Sequence, residues 1–184
     1  MNVGIVVDNL PAARLVRRVL DDPRVEVFDA EERSAAIMGI GSLAAQGLAG
    51  VLLLDSDTLE DRALTELQLE VGALVRMGNA ACPRRLVLAI PQVESILFSD
   101  RVGLENALGK KIADDDFFEA RFRPKAVFYR LLGGKKPQER ALAVIDAIDE
   151  TSLRRMAAHP VIREIQEFVE EVQRPRTAKV RRAS

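Results

Sequence analysis

Between residues 3 and 90 the chain alternates four times between a short apolar run and a stretch of helical spacing, and this rhythm limits its fold more than any other feature. Val3-Gly-Ile-Val-Val7 is apolar throughout and ends at Asp8 and Asn9, as a strand buried on both faces does. Pro11 suits a first helical turn, and Ala12, Val16, Val19 and Leu20 recur at helical spacing until Asp21-Asp-Pro23 stops them. Val25-Glu-Val-Phe28 alternates as a second strand. Ala36, Ile40, Leu43 and Ala44 form the next stripe, closed by Gly47 or Gly50. Val51-Leu-Leu-Leu54 is a third strand running into Asp55-Ser-Asp-Thr58, followed by a stripe of Leu64, Leu67, Val71, Leu74 and Val75. Leu86-Val-Leu-Ala-Ile90, ended by Pro91, is the fourth strand.

The order predicts an α/β fold, a Rossmann-like parallel sheet of about four strands near 3–7, 25–28, 51–55 and 86–90. Right-handed crossovers gather the strand carboxyl ends on one edge, where such sheets bind ligands. The residues there are Asp8, Asn9, Asp29, Asp55 to Thr58, and Pro91 to Glu94. After residue 92 only helical stripes follow: Ala141, Val144, Ile145 and Ile148, then Ile162, Ile165, Val169 and Val172. Residues 109–123, with Lys110, Lys111 and Asp114-Asp-Asp116, are polar and irregular and read as a mobile loop. The expected organisation is an α/β core over 1–100, a helical extension packed on it over 101–173, and a basic disordered tail over 174–184.

Composition removes several chemistries. The single cysteine, Cys82, allows no internal disulfide and no cysteine-rich zinc site. The single histidine, His159, would have to serve any Ser-His-Asp triad or multi-histidine metal site. Reactive chemistry therefore falls to carboxylates, Lys, Arg and hydroxyls. With no Trp and one Tyr, aromatic platforms for single-stranded nucleic acid are poorly supplied. Glycines 39, 41, 47 and 50 fit no phosphate loop and no Gly-Lys-Ser/Thr occurs, which argues against ATP hydrolysis. No apolar run reaches membrane-spanning length and no secretion signal is visible, so a cytoplasmic protein without a membrane partner is expected. The net charge of −1 is uneven: Arg174, Arg176, Lys179, Arg181 and Arg182 lie in a tail without acids, and without them 22 of the 27 basic residues face 28 acidic ones. Such a tail can touch nucleic acid or simply solubilise a terminus.

Asp55 and Asp57 are the sharpest chemical signal. In extended backbone, residues two apart point the same way, and two carboxylates on one side repel unless a cation lies between them. Mg²⁺ favours such oxygen ligands and keeps waters for substrate phosphates. The same residues also serve as helix caps. Further acids at the edge, Asp8 and Glu94, tilt the balance toward a metal site, although Glu94 in a first helical turn also suits the helix dipole.

The order of elements, with Asp55-Ser-Asp57 ending the third strand, resembles a Toprim domain, as found in topoisomerases, bacterial primases and OLD-type nucleases. Small stand-alone Toprim-like proteins carry an Ala-Ile/Val-Pro-x-x-Glu stretch, matched by Ala89-Ile-Pro-Gln-Val-Glu94, with an Asp soon after, as at Asp100. Their helical ends look like Leu153 to Ile165. The resemblance implies that Asp55 and Asp57 bind Mg²⁺ or Mn²⁺, with Asp8 as a further ligand and Glu94 in the catalytic group. Where a Toprim domain has Glu-Gly after its first strand, this chain has Asp8-Asn9, a shorter acid and a stiffer backbone. Ile96 stands where the look-alikes have an aromatic residue. The function implied is a divalent-metal-dependent nuclease or phosphotransferase acting on nucleic acid through the acidic site and the tail. The alternative is a non-catalytic module, Toprim-like or receiver-like, that binds a partner protein.

The receiver resemblance rests on Asp8 after strand one, Arg17-Arg18 in the first helix, and Asp55 after Leu-Leu-Leu. Against it, strand four ends in Ala89-Ile90 where a receiver has Thr or Ser, and no fifth strand with a following Lys is evident. Lys110 and Lys111 read as solvated, His159 before Pro160 as structural, and Arg84 and Arg85 as surface residues before a strand.

Overall fold

The computed structural model describes residues 1–77 and 82–174; apart from Arg174, the expected basic tail lies outside the described residues. The first half runs β1 (Val3–Val7), α1 (Leu10–Leu20), β2 (Val25–Asp29), α2 (Arg33–Ala45), β3 (Ala49–Asp55), α3 (Asp61–Arg76) and β4 (Arg84–Ala89). All four strands are parallel, in the order β2-β1-β3-β4. β3 and β4 start before their apolar runs because backbone pairing takes in Ala49 and Gly50 opposite Val3 and Gly4, and Arg84 and Arg85 opposite Gly50 and Val51.

Side-chain alternation divides the strand residues between two cores. Val3, Ile5, Val7, Val51, Leu53 and Val87 face α1 and the C-terminal helices. Val6, Leu52, Leu54 and Leu86 face α2 and α3. The helix α1 starts where the Asn9 side chain accepts from the Ala12 N–H at 2.8 Å, and it closes on Asp21 in the left-handed region. Gly4 and Gly50 let α2 approach the sheet: a Cβ on either would stand 2.7 Å from Leu43 or Ile40.

The second half is helical, as expected: a 3-10 segment Val93–Ser99, then α4 (Arg101–Leu108), α5 (Asp114–Glu119), α6 (Pro124–Leu132), α7 (Pro137–Ala147), α8 (Glu150–Met156) and α9 (Pro160–Gln173). Its apolar stripes join the α1-side core in one cluster. Arg18 donates to the carbonyls of Ile145 and Ile148, and Arg14 pairs with Asp146 at 2.7 Å, so α1 holds the end of α7. Arg85 pairs with Glu171 at 2.5 Å and stacks over Phe168, which fixes α9 against β4.

The loop reading of 109–123 needs correction. Ile112 is buried, and Asp114–Glu119 is a helix whose three N-terminal aspartates suit its dipole. Glu105 holds the approach. The Lys111 ammonium, the Ile112 N–H and the Arg101 guanidinium keep its carboxyl down at about 2. Local polarity hid an ordered turn because its anchor lies on another element. Among the described residues no helix is long and apolar enough to cross a membrane.

Candidate functional site

The winding of the sheet sets the place. The first connection carries the chain from β1 outward to β2, and the second brings it back past β1 to β3. The helices after β1 and β3 therefore leave toward opposite faces and open a crevice between those two strand ends. Asp55 is the last residue of β3, and Asp8 follows Val7, which pairs with Leu53. The switch point thus brings Asp8 and Asp55 together.

Asp55 is 2% exposed. Its Oδ1 accepts from the Val93 N–H at 2.8 Å, and its Oδ2 stands 3.4 Å from the Lys125 ammonium. Burial raises its pKa, and the Val93 N–H and Lys125 oppose that rise. Lys125 lies in the first turn of α6, where its backbone N–H donates to Gln92 Oε1 at 3.2 Å. Burial works against the Lys125 charge, but Glu94, Asp55 and Asp8 outweigh it and raise its pKa. The charges of Glu94, Asp55 and Asp8 thus all act on one ammonium from the helical half, with Asp55 its ion-pair partner.

Glu94 is the unusual member. It is 4% exposed, and neither carboxylate oxygen has a hydrogen-bond partner. A buried carboxylate left this way is costly as an anion and holds its proton instead. Burial, followed by the charge of Asp55, pushes it up to about 7, while Lys125 pulls the other way. Its field also reaches Tyr129, whose phenol burial already raises.

Asp57 does not share the direction of Asp55. The strand ends at Asp55, and Asp57 sits at φ +55° in a left-handed turn, so the two-residue alternation stops short of it. Its side chain is 58% exposed, accepts from Gln92 Nε2 at 2.9 Å and lies 3.7 Å from Arg33. Neither aspartate caps α3, whose start has no side-chain cap. Arg33 also donates to the Asp55 carbonyl, which ties α2 to the rim.

Other expected residues fall elsewhere. Asp29 accepts from the Glu31 N–H in its own turn. Asp100 is buried beside α4, 3.5 Å from Arg155. Lys110 donates to the Leu131 carbonyl and Lys111 pairs with Glu105, so neither is at the edge. His159 caps α9 as a structural residue: its Nδ1 accepts from the Val161 N–H, which leaves Nε2–H to donate to Ser95 Oγ at 3.2 Å. In that tautomer the ring cannot take a proton from Ser95, so a Ser-His nucleophile is not formed.

Sequence reasoning missed Lys125 and Arg33, and it put Gln92 at the edge without a role. Lys125 is 70 residues from Asp55, and its arrival depends on how α6 docks under the 3-10 segment. Among the described residues no fifth strand follows β4, as the objection to a receiver held, but Lys125 of α6 does bring an ammonium to Asp55. No protein-family model matches this sequence, and no curated protein matches it.

Among the described residues no three His, Cys, Asp or Glu side chains stand close enough to hold a metal between them. Mg²⁺ asks for less, since it commonly keeps most of its waters and takes one or two carboxylates. Both oxygens of Glu94 lack a partner, and Asp55 Oδ2 keeps a 3.4 Å contact with Lys125. The two unpartnered Glu94 oxygens would suit a cation of that kind, whereas Asp55 Oδ2 faces Lys125 and Asp8 Oδ1 accepts from the Asn9 amide.

Proposed function

We propose that the chain is a divalent-metal-dependent phosphoryl-transfer enzyme of the Toprim type, cleaving a phosphodiester of nucleic acid at the Asp8–Asp55 crevice. The observation that carries this reading is Glu94, buried with both oxygens unpartnered and poised at about 7 beside Asp55 and Lys125. A carboxyl poised near neutral pH can take a proton from an attacking water and release it after each turnover. Lys125 offers its ammonium to the non-bridging phosphoryl oxygens, releasing Asp55 Oδ2 as it swings toward them. Asp55 and Asp8 would hold Mg²⁺ or Mn²⁺, which supplies charge neutralisation at the phosphoryl group. Arg33 and Gln92 keep Asp57 at the outer rim, where it can support an outer-shell water.

A second reading is favoured by one contact set. Asp55 already has the Val93 N–H and Lys125 as partners, so its charge is balanced without a cation, as in a non-catalytic partner-binding module. Incubating full-length protein with single- and double-stranded DNA and RNA in Mn²⁺ separates the two. Cleavage lost in both Asp55→Ala and Glu94→Gln supports the enzyme; no cleavage by the folded wild-type protein with any of these substrates supports the module.

A further inference from the structure

A cleft of about 830 Å³ opens between the 3-10 segment, α5 and the start of α9. Its volume is that of a small-molecule site. The sequence holds seven phenylalanines, and three of them, Phe98, Phe117 and Phe118, line this cleft. Phe98 and Phe117 line it with ring centroids 6.2 Å apart, and Phe118 meets Phe122 edge to face at 5.6 Å. Phe118, which also lines the cleft, is 59% exposed, so one large aromatic ring stands in water there.

Polar side chains from the 3-10 segment, α4, α5 and the turn after it also line the cleft, among them Asp115, which has no cationic partner among the described residues. Because the His159 Nε2–H donates to Ser95 Oγ, the Ser95 hydroxyl proton remains free to donate into the cleft. Arg101 and Asp114 neutralise each other at 2.7 Å. Arg121 lies over the Phe118 ring at 6.0 Å, and among the described residues it has no acidic partner. The cleft therefore offers a stacking face, a hydroxyl that donates and accepts, and a cation at the rim. A ligand that uses all three is flat and aromatic, with a polar edge and an attached anion.

We infer that this cleft binds a nucleobase, stacked on Phe118 with its edge at Ser95 and its phosphate toward Arg121. The choice of a nucleobase over other planar anions rests on the phosphodiester reading of the neighbouring crevice. The two sites share framework: the 3-10 segment turns Glu94 to Asp55 and Ser95 to the cleft, and the chain from Phe117 to Lys125 serves both. Base stacking on an aromatic face tolerates any base, so recognition here is of the class and not of a sequence.

The base can come from a free nucleotide or from a single strand. Full-length protein is titrated in EDTA with AMP by calorimetry and with fluorescein-labelled dA12 by anisotropy, in wild type and Phe118→Ala. The exposed ring can be removed without opening the core. Binding of AMP, weakened about tenfold or more in Phe118→Ala, identifies a nucleotide site. Binding of dA12 without AMP, weakened to the same degree, identifies a single-strand site. No binding of either, or equal binding by wild type and Phe118→Ala, overturns the inference. Because EDTA removes any metal-dependent cleavage, binding here and failure of cleavage in Mn²⁺ are separately visible.

Discussion

Replacing Glu94 by Gln tests the electrostatics of the crevice most directly. Glu94 is 4% exposed, lacks partners for both oxygens, and faces Asp55 and Asp8 against the single opposing charge of Lys125. Its carboxyl moves from an ordinary 4.5 to about 7 on folding. The folded state thus holds its proton more tightly than the unfolded state does. Below about pH 4.5 both states are protonated and nothing is lost. As pH rises from there to about 7, the unfolded chain ionises freely while the folded chain resists, so stability falls through that window and stays low above it. At ~1.36 kcal/mol per tenfold change in proton affinity, the full loss is on the order of 3 kcal/mol. Gln cannot ionise and resembles the protonated acid in shape. In EDTA, urea unfolding at pH 5, 6, 7 and 8 should show a Glu94→Gln advantage that grows by on the order of 2–3 kcal/mol from pH 5 to pH 8. Glu105 titrates far below this range and Asp55 is common to both proteins, so the difference isolates Glu94. Parallel stability curves from pH 5 to pH 8 would refute the burial argument and remove the basis for Glu94 as a proton carrier.

Lys125→Met leaves buried Asp55 with only the Val93 N–H. It should cost about 1–2 kcal/mol in urea unfolding at pH 7, less than a fully buried pair because Lys125 is partly exposed. Any phosphodiester cleavage should also disappear, and unchanged cleavage would remove Lys125 from the site. Mn²⁺ binding by calorimetry should be lost in Asp55→Ala; equal binding in wild type and variant would count against the proposed metal ligands. Acetyl phosphate with Mg²⁺ should leave Asp55 unmodified, because its carboxylate is 2% exposed and both oxygens are engaged; one added phosphoryl group by intact mass would favour a receiver. Gly103→Ala would set a Cβ 2.2 Å from Ser152 Oγ between α4 and α8, and should destabilise by about 1–3 kcal/mol or more in thermal unfolding.

The sequence by itself determined the sheet and the residues at its edge. Period-two and period-3.6 patterns are local, so Val3–Val7, Val51–Leu54 and the stripes behind them could be read without knowing their partners, and parallel winding follows from alternation. It also put Asp8, Asp55 and Glu94 at strand ends or just beyond. Tertiary structure decided which of those acids meet. Asp57 was assigned to the same side as Asp55 by a strand rule that lapses one residue before it, where a left-handed turn sends its carboxylate to Arg33 and solvent. Lys125 reaches Asp55 across 70 residues only because α6 docks beside the 3-10 segment, and no periodicity records such a distant contact. The aromatic cleft was hidden in the same way. A chain poor in Trp and Tyr counts as poor in stacking surface, yet packing brings Phe98 of the 3-10 segment to Phe117 and Phe118 of α5 in one cleft. Local pattern fixes which face a residue shows; the charges and rings it meets there are set by elements far along the chain.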